Sequence, residues 1–286
     1  MIYILYTVLL FNILIVVFKF FEKFKVDNLQ GLIINYFTAA LCGYFLLKDD
    51  YSISYVLSAP WAYYSIIIGF IFIVVFNFYA YGTQKVGISV TTVANKMSLI
   101  IPVCAALILY PDDKLNLLKT TGFILALIAI YLSATKGGKL NFNKKYLWLI
   151  VLVFVGQGIS DTLFSHSSLL LKPGEDMKFF ITLFLMAGLS GIAILIGKSF
   201  YSPVKIEAKN FLWGIIFGIP NFFSLYFFLE ALSSESMKKS VVFPLVSMGV
   251  VIISAIIGII FYKENLSKSN WIGIFFALAS IAVFSF

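Results

Sequence analysis

The chain has 286 residues, of which 61% are hydrophobic and only 12% are charged, and its mean hydropathy is +1.01. A soluble domain carries about 25% charged residues, so this composition excludes a globule in water and predicts a protein dissolved in lipid. The net charge of +8 comes from lysines alone, since the chain has no arginine, and all of them except Lys96 lie in the connections between apolar runs. This distribution indicates topology signals facing anionic lipid and argues against nucleic-acid binding.

Ten apolar segments follow one another along the chain, each about as long as a bilayer-spanning helix. They are continuous apolar runs, which predicts helices and not the alternating strands of a barrel. We interpret the first segment as a transmembrane helix and not as a signal peptide, since it has neither the basic start nor the cleavage site of one. The segments are 3–18, 29–47, 61–81, 88–110, 120–134, 146–166, 179–196, 211–229, 240–261 and 270–286.

Cys42 and Cys104 both fall inside predicted helices. Two isolated membrane thiols indicate neither a disulfide framework nor a metal site. The sequence therefore predicts no metal and no cofactor, and the short connections leave no room for a soluble catalytic domain.

The fourth and fifth segments repeat as the ninth and tenth. A shift of 151 residues, Ala231 minus Ala80, superimposes them without a gap and places Asp113 on Glu264. Five helices per copy is an odd number, so the second copy must cross the membrane in the opposite sense, as in many secondary transporters. We predict an all-α integral membrane protein of ten transmembrane helices in two inverted five-helix repeats, residues 1–137 and 138–286.

Small residues spaced four apart recur on equivalent helices, and such faces allow two backbones to approach closely in lipid. We interpret them as helix-packing positions and not as a site. They are the pairs Gly122 with Ala126, Gly273 with Ala277, and Gly214 with Gly218.

The repeat carries residues that resemble a known family, the ten-helix EamA-like branch of the drug/metabolite transporter superfamily. These are Pro102, the turn Asp113-Lys114-Leu115 with Gly122, and the turn Glu264-Asn265-Leu266 with Gly273. The family usually has glutamate, a basic residue and leucine in these turns, so each copy departs once. The resemblance covers essentially the whole chain and implies a transporter of amino acids, drugs or other metabolites, without identifying the cargo.

Charged residues at membrane depth are costly and usually mark a pathway or a paired site. Lys96 lies 8 residues into the fourth segment, or about 12 Å, which is too deep for easy snorkelling. Asp161 lies in the sixth segment, which enters from the same side. We predict that Lys96 and Asp161 bracket a cavity, pairing when it is empty, while a purely structural ion pair remains the alternative. Asn95, beside Lys96, and Gln157, one turn before Asp161, are predicted to share the site.

Further polar residues are candidates with alternative interpretations. Asn12, Asn77 and Asn221 could contact substrate or join helices by hydrogen bonds. Glu230 could be a protonatable gate, as could Asp161, but the simpler interpretation of Glu230 is an interfacial carboxylate near Lys238 and Lys239. His166, the single histidine, is expected at a helix end and not in a proton relay.

Two lines of reasoning about orientation disagree. The connections after segments 1, 3, 5, 7 and 9 hold 13 lysines against 7 in the others, which by the positive-inside rule places both termini outside. The resemblance implies cytoplasmic termini. The orientation stays open, with a slight preference for the family arrangement, and so does the choice between monomer and homodimer.

We predict a transporter in the cell membrane that moves a small molecule, anionic or zwitterionic, by alternating access, exporting it from the cell. The main alternative is a flippase for a lipid-linked precursor or a phospholipid, with the anionic headgroup held at Lys96. An intramembrane enzyme needs a metal cluster, an activated nucleophile or paired carboxylates, and none of these is assembled by the sequence. A selectivity filter needs a ring of repeated charges, which is also missing.

Overall fold

A computed structural model describes residues 1–109, 117–136, 139–140, 142–233 and 239–283. Twelve α-helices are described in these ranges, together with one short 3-10 turn and two paired two-residue strands, β1 (Thr135–Lys136) and β2 (Lys139–Leu140). The helices are α1 (Ile2–Lys23), α2 (Asn28–Leu46), α3 (Ile53–Ser58), α4 (Ala62–Lys85), α5 (Ile88–Met97), α6 (Ile100–Leu109), α7 (Leu117–Ala134), α8 (Leu147–Ser168), α9 (Asp176–Ser199), α10 (Ala208–Ser233), α11 (Lys239–Tyr262) and α12 (Lys268–Val283).

The predicted all-α membrane architecture is confirmed. Seven described helices, α1, α2, α4, α8, α9, α10 and α11, are long and apolar enough to cross a bilayer, and α7 and α12 are shorter apolar helices. Every predicted segment has a helical counterpart. The fourth segment differs from the prediction, because it is not continuous: it breaks after Met97 into α5 and α6. The six-residue α3 lies between two spans and is too short to be one.

The two faces of the bundle follow from the alternation of the spans. We call face B the side that carries residues 24–27, 86–87, 200–207 and 263–267, and face A the side that carries residues 47–61 and 169–175. Face B receives the connections that are richer in lysine. Helix α1 begins at face A and α12 ends there.

The helix contacts follow the symmetry of the repeat. If each helix is replaced by its counterpart in the other half, one observed contact becomes another. Helix α2 packs on α10 as α9 packs on α4, and α1 packs on α11 as α8 packs on α5 and α6. Helices α7 and α12 pack on each other. Each of these pairs joins one half to the other, so the core lies between the repeats and not within either one.

Glycines confirm the interpretation of the small-residue positions as packing contacts. A Cβ added at Gly218 would lie 2.7 Å from the backbone oxygen of Asn35, so α10 rests directly on α2. A Cβ at Gly273 would lie 2.6 Å from the backbone nitrogen of Ser133, where α12 meets α7. In both cases the obstacle is backbone, which cannot rotate away as a side chain can.

A buried carboxylate ties the connections together on face A. Glu175 accepts hydrogen bonds from the Tyr55 hydroxyl, from Trp61 Nε1 at 3.1 Å and from the Lys172 backbone N–H at 2.7 Å. Burial alone raises the pKa of the Glu175 carboxyl, but these three hydrogen bonds outweigh burial and hold the pKa below its ordinary value. Through Glu175, α3 and the start of α4 are fastened to the start of α9.

Candidate functional site

A cavity of about 120 Å³ lies among α1, α4, α5, α8, α10 and α11. These six helices come from both halves of the chain, three from each. Its wall is mostly aromatic and aliphatic, with a few polar groups. The lining residues are Phe11, Leu14, Phe18, Phe72, Phe76, Tyr79, Asn95, Lys96, Leu99, Gln157, Asp161, Phe164, Asn221, Leu225, Phe228, Val246, Ser247 and Val250.

Lys96 occupies the end of α5, next to the helix break, and lines this cavity. Its ammonium lies over the ring of Phe11, 4.7 Å from the ring centroid. A cation over an aromatic face at this distance is stabilised by the ring quadrupole. Among the described residues no carboxylate oxygen lies within 4.0 Å of the ammonium, so no salt bridge joins Lys96 and Asp161 in this structure. The pairing of these two residues in the absence of cargo stays a prediction.

Asp161 is held by an amide relay that begins beside Lys96. Asn95 Nδ2 donates to Gln157 Oε1 at 3.0 Å, and Gln157 Nε2 donates to Asp161 Oδ1 at 2.8 Å. All three side chains line the cavity. The relay orients the carboxylate of α8 from the end of α5. The cavity therefore contains one cation and one anion that are supported separately, by a ring and by an amide.

Of the three other asparagines predicted for the site, one lines the cavity and two do not. Asn221 lines the cavity and donates through Nδ2 to Asn35 Oδ1 at 2.9 Å. Asn12 and Asn77 do not line it. Asn12 Nδ2 instead bonds the Val8 carbonyl of its own helix at 2.8 Å. The side-chain oxygens of Asn12 and Asn77 are buried without a hydrogen-bond partner in the described part of the chain.

The remaining titratable candidates lie away from the cavity wall. Glu230 is in the last turns of α10, where its carboxylate hydrogen-bonds Tyr226. Lys238 lies outside the described residues. His166 is in the last turn of α8, as expected for a helix-end position, and its ring centroid lies 5.2 Å from that of Tyr64. No group of three or more His, Cys, Asp or Glu side chains within the described ranges could hold a metal ion.

Sequence reasoning missed Phe11 and Ser247. Phe11 gave no signal, because the chain contains 31 phenylalanines and most of them pack between helices or face lipid. Ser247 was detectable, since it is the repeat mate of Lys96 at the same shift of 151 residues (247 minus 96). Both mates line the same cavity, which places the cavity between the repeats, as expected of an inverted-repeat transporter.

The fold and the cavity together define a multi-pass α-helical membrane protein with a largely apolar cavity, containing a few polar groups, between its two halves. The sequence profile of the EamA-like transporter family matches residues 144–286, which is half of the chain. The chain belongs to the EamA-like transporter family, which indicates a membrane transporter of small molecules. The Glu264-Asn265-Leu266 turn and Gly273 lie within this match, whereas Pro102 and Gly122 precede it. The turn at Asp113 lies outside the described residues.

Two further proteins are similar over nearly the whole chain. An uncharacterized protein of Haemophilus influenzae is 29% identical over 272 residues, covering 93% of this chain and 91% of its own. A crystal structure of a protein superposes on 99% of this chain and 94% of its own, with a TM-score of 0.59 at 16% identity. The second similarity shows a shared fold.

Proposed function

We propose that this protein is a secondary transporter of the cell membrane that exports a small organic metabolite, amino acid or drug by alternating access. The observation that carries the proposal is a cavity between the two halves that contains Lys96 and Asp161 without an ion pair between them. Charges are costly at membrane depth, and a cargo that supplies their partners lowers that cost.

The arrangement of charges favours an anionic or zwitterionic cargo with an apolar body. A carboxylate or phosphate would bind the Lys96 ammonium, and a donor such as an ammonium would bind the Asp161 oxygen that Gln157 leaves free. Phe76, Phe164 and the other rings of the wall would cover the apolar part. Asn95 and Asn221 would add hydrogen bonds around it.

Alternating access follows from the inverted repeat, with residues 1–137 as one unit and 138–286 as the other. Tilting of one unit against the other would expose the cavity to face A and then to face B. Asp161 is also the proposed proton site, since a carboxylate that exchanges a proton for cargo couples the two fluxes. Glu230 is the second candidate for that coupling.

The test is a panel of metabolites in proteoliposomes, with uptake and efflux measured for the purified protein. Wild type is compared with Lys96→Ala and Asp161→Asn, and Lys209→Ala is the control because this lysine lies in the first turn of α10 on face B and does not line the cavity. We expect transport by wild type and the control, and a loss of at least about tenfold in kcat/KM for both cavity variants, equivalent to about 1.4 kcal/mol. Equal rates in all four proteins would contradict the proposed site.

Movement of a labelled lipid in the same vesicles, without movement of any soluble compound, would favour the flippase instead. Lipid-linked precursors carry an anionic headgroup that Lys96 would hold equally well. Light scattering of the purified protein distinguishes the monomer from the homodimer. Each half already supplies the partner of the other, so we expect the monomer to transport.

A further inference from the structure

Glu264 reaches from the second half of the chain to the first turn of α5. It lies in the connection between α11 and α12, and its carboxylate accepts hydrogen bonds from the Ile88 N–H at 2.6 Å, the Ser89 N–H at 3.3 Å and Ser89 Oγ at 2.8 Å. The first N–H groups of a helix have no partner within it, and a carboxylate there also interacts favourably with the helix dipole. Glu264 therefore caps a helix that its own repeat does not contain.

Two glycines make the socket for this carboxylate. A Cβ at Gly258 would lie 2.6 Å from Glu264 Oε2, and one at Gly87 would lie 3.1 Å from Oε1. Gly87 also has φ +125°, which a residue with a side chain rarely adopts. The backbone of Glu264 is also fixed at this socket, because its N–H donates a hydrogen bond to the Gly258 carbonyl at 2.9 Å.

Helix α5 connects this socket to the cavity. Lys96 lies 8 residues after Ile88, so about 12 Å of rigid helix separates the capped end from the cation. Beyond Met97 the helix is broken, and Ser98 Oγ closes its last turn by donating to the Asn95 carbonyl at 2.5 Å. A break of this kind allows α5 to change direction relative to α6.

Other charged groups also join helix ends at face B. Lys85, at the end of α4, pairs with Glu22 of α1 at 3.0 Å, and Lys19 lies 3.8 Å from the same glutamate. The Lys19 ammonium also lies over the ring of Tyr262, 5.7 Å from its centroid, at the end of α11. Helices α1, α4 and α11 are thus fastened together at this face, and the contacts of Glu264 join the α11–α12 connection to α5.

We propose that Glu264 is a positioning residue for transport: it keeps face B closed over the cavity and, through α5, sets the position of Lys96. Opening the cavity towards face B requires the start of α5 to leave the carboxylate. The proposal rests on the proposed transport function, but it predicts a property of the protein that can be measured without any cargo.

The experiment measures access to the cavity from each face separately. In a chain with Cys42→Ala and Cys104→Ala, Val250→Cys provides a reporter on the cavity wall, where the valine is 1% exposed. A membrane-impermeant maleimide is applied to right-side-out and inside-out vesicles. Two marker variants identify the faces: Ile206→Cys, where the isoleucine is 86% exposed on face B, and Asp50→Cys, at an exposed position on face A.

Glu264→Gln keeps the shape of the side chain and removes its charge and one acceptor oxygen. We expect the reporter to be labelled about tenfold faster from face B, and not faster from face A, because one hydrogen bond and the attraction to the helix N-terminus are lost together. Ser89→Ala removes one donor and should give a smaller increase from the same face. The matched control is Glu207→Gln, which neutralises an exposed carboxylate on face B that pairs with Lys209.

An unchanged labelling rate in Glu264→Gln would overturn the proposal. An equal increase from both faces would also overturn it, because general loosening of the bundle does not distinguish them. The proteoliposome panel remains an independent test of transport. If the protein transports nothing in the panel but Glu264→Gln still shows the face-selective increase, the proposed transport function is refuted. The proposed role of Glu264 in closing face B is then still supported.

Discussion

Replacing Gln157 with leucine removes the centre of the amide relay while keeping nearly the same side-chain volume. Two hydrogen bonds are lost, at 3.0 Å from Asn95 and at 2.8 Å to Asp161. A neutral hydrogen bond contributes about 1 kcal/mol and one to a charged group about 1.5 to 3 kcal/mol. Measured values between helices in membranes average about 0.6 kcal/mol, so the bond to Asp161 is the dominant contribution. We expect a loss of about 1.5 kcal/mol in binding of the transport cargo, or about tenfold in KM.

The assay is a double-mutant cycle on initial transport rates in proteoliposomes, with Gln157→Leu, Asp161→Asn and the double variant. If Gln157 acts by orienting the carboxylate, the double variant should be no worse than Asp161→Asn alone, and the coupling energy should be about 1.5 kcal/mol. Thr162→Val is the control, since it removes a hydrogen bond of the same helix, to the Gly158 carbonyl, outside the cavity wall. Additive losses, with a coupling energy below about 0.4 kcal/mol, would refute the relay.

Three further predictions use contacts described above. Phe11→Leu removes the ring beneath the Lys96 ammonium and should raise KM by about three- to tenfold, whereas Phe11→Tyr should not, as measured by the same transport assay. Gly218→Ala should lower the midpoint of thermal unfolding in detergent by several degrees because its Cβ meets backbone, while Gly197→Ala, with no atom within 4 Å, should not change it. Because the pKa of Glu175 is lowered in the folded protein, its stabilising contribution is present above its ordinary pKa of 4.5 and lost as the pH falls below that value. The midpoint of thermal unfolding should therefore drop in wild type as the pH is lowered from above 4.5 through the lowered pKa of Glu175, and it should drop less in Glu175→Gln.

Local composition was sufficient to find the spans and the charge at membrane depth. A run of about 20 apolar residues has one low-energy environment, and a lysine within it is conspicuous because it is costly there. Local composition did not show which uncharged polar side chains face the cavity. Asn221 lines the cavity and Asn12 does not, although both are amides within apolar runs. The difference depends on which helices lie beside them.

The helix break at the end of α5 was missed, although the sequence carried a signal for it. Pro102 has no N–H to donate to the Ser98 carbonyl four residues earlier, and a proline within a helical run commonly kinks or breaks the helix. In the structure, the hydroxyl of Ser98 bonds back to Asn95, and the relay to Gln157 holds the end of α5 against α8. The Ser98 contact is local, whereas the contact between Asn95 and Gln157 joins residues 62 positions apart, so no local pattern reports the second one.

The sequence by itself determined that this chain is an all-α membrane protein of two inverted halves and that it resembles EamA-like transporters. It also identified Lys96 and Asp161 as charged candidate site residues at membrane depth. These properties depend on the free-energy cost of moving each segment into lipid and on the similarity of the two copies. Both follow from the identity and order of the residues alone. Only the tertiary structure decided that Phe11 and Gln157 support the two charges separately, and that Glu264 caps the helix carrying Lys96. The physical reason is that hydrogen bonds and ring contacts require atoms within a few ångströms, and packing of the two halves alone brings these residues together.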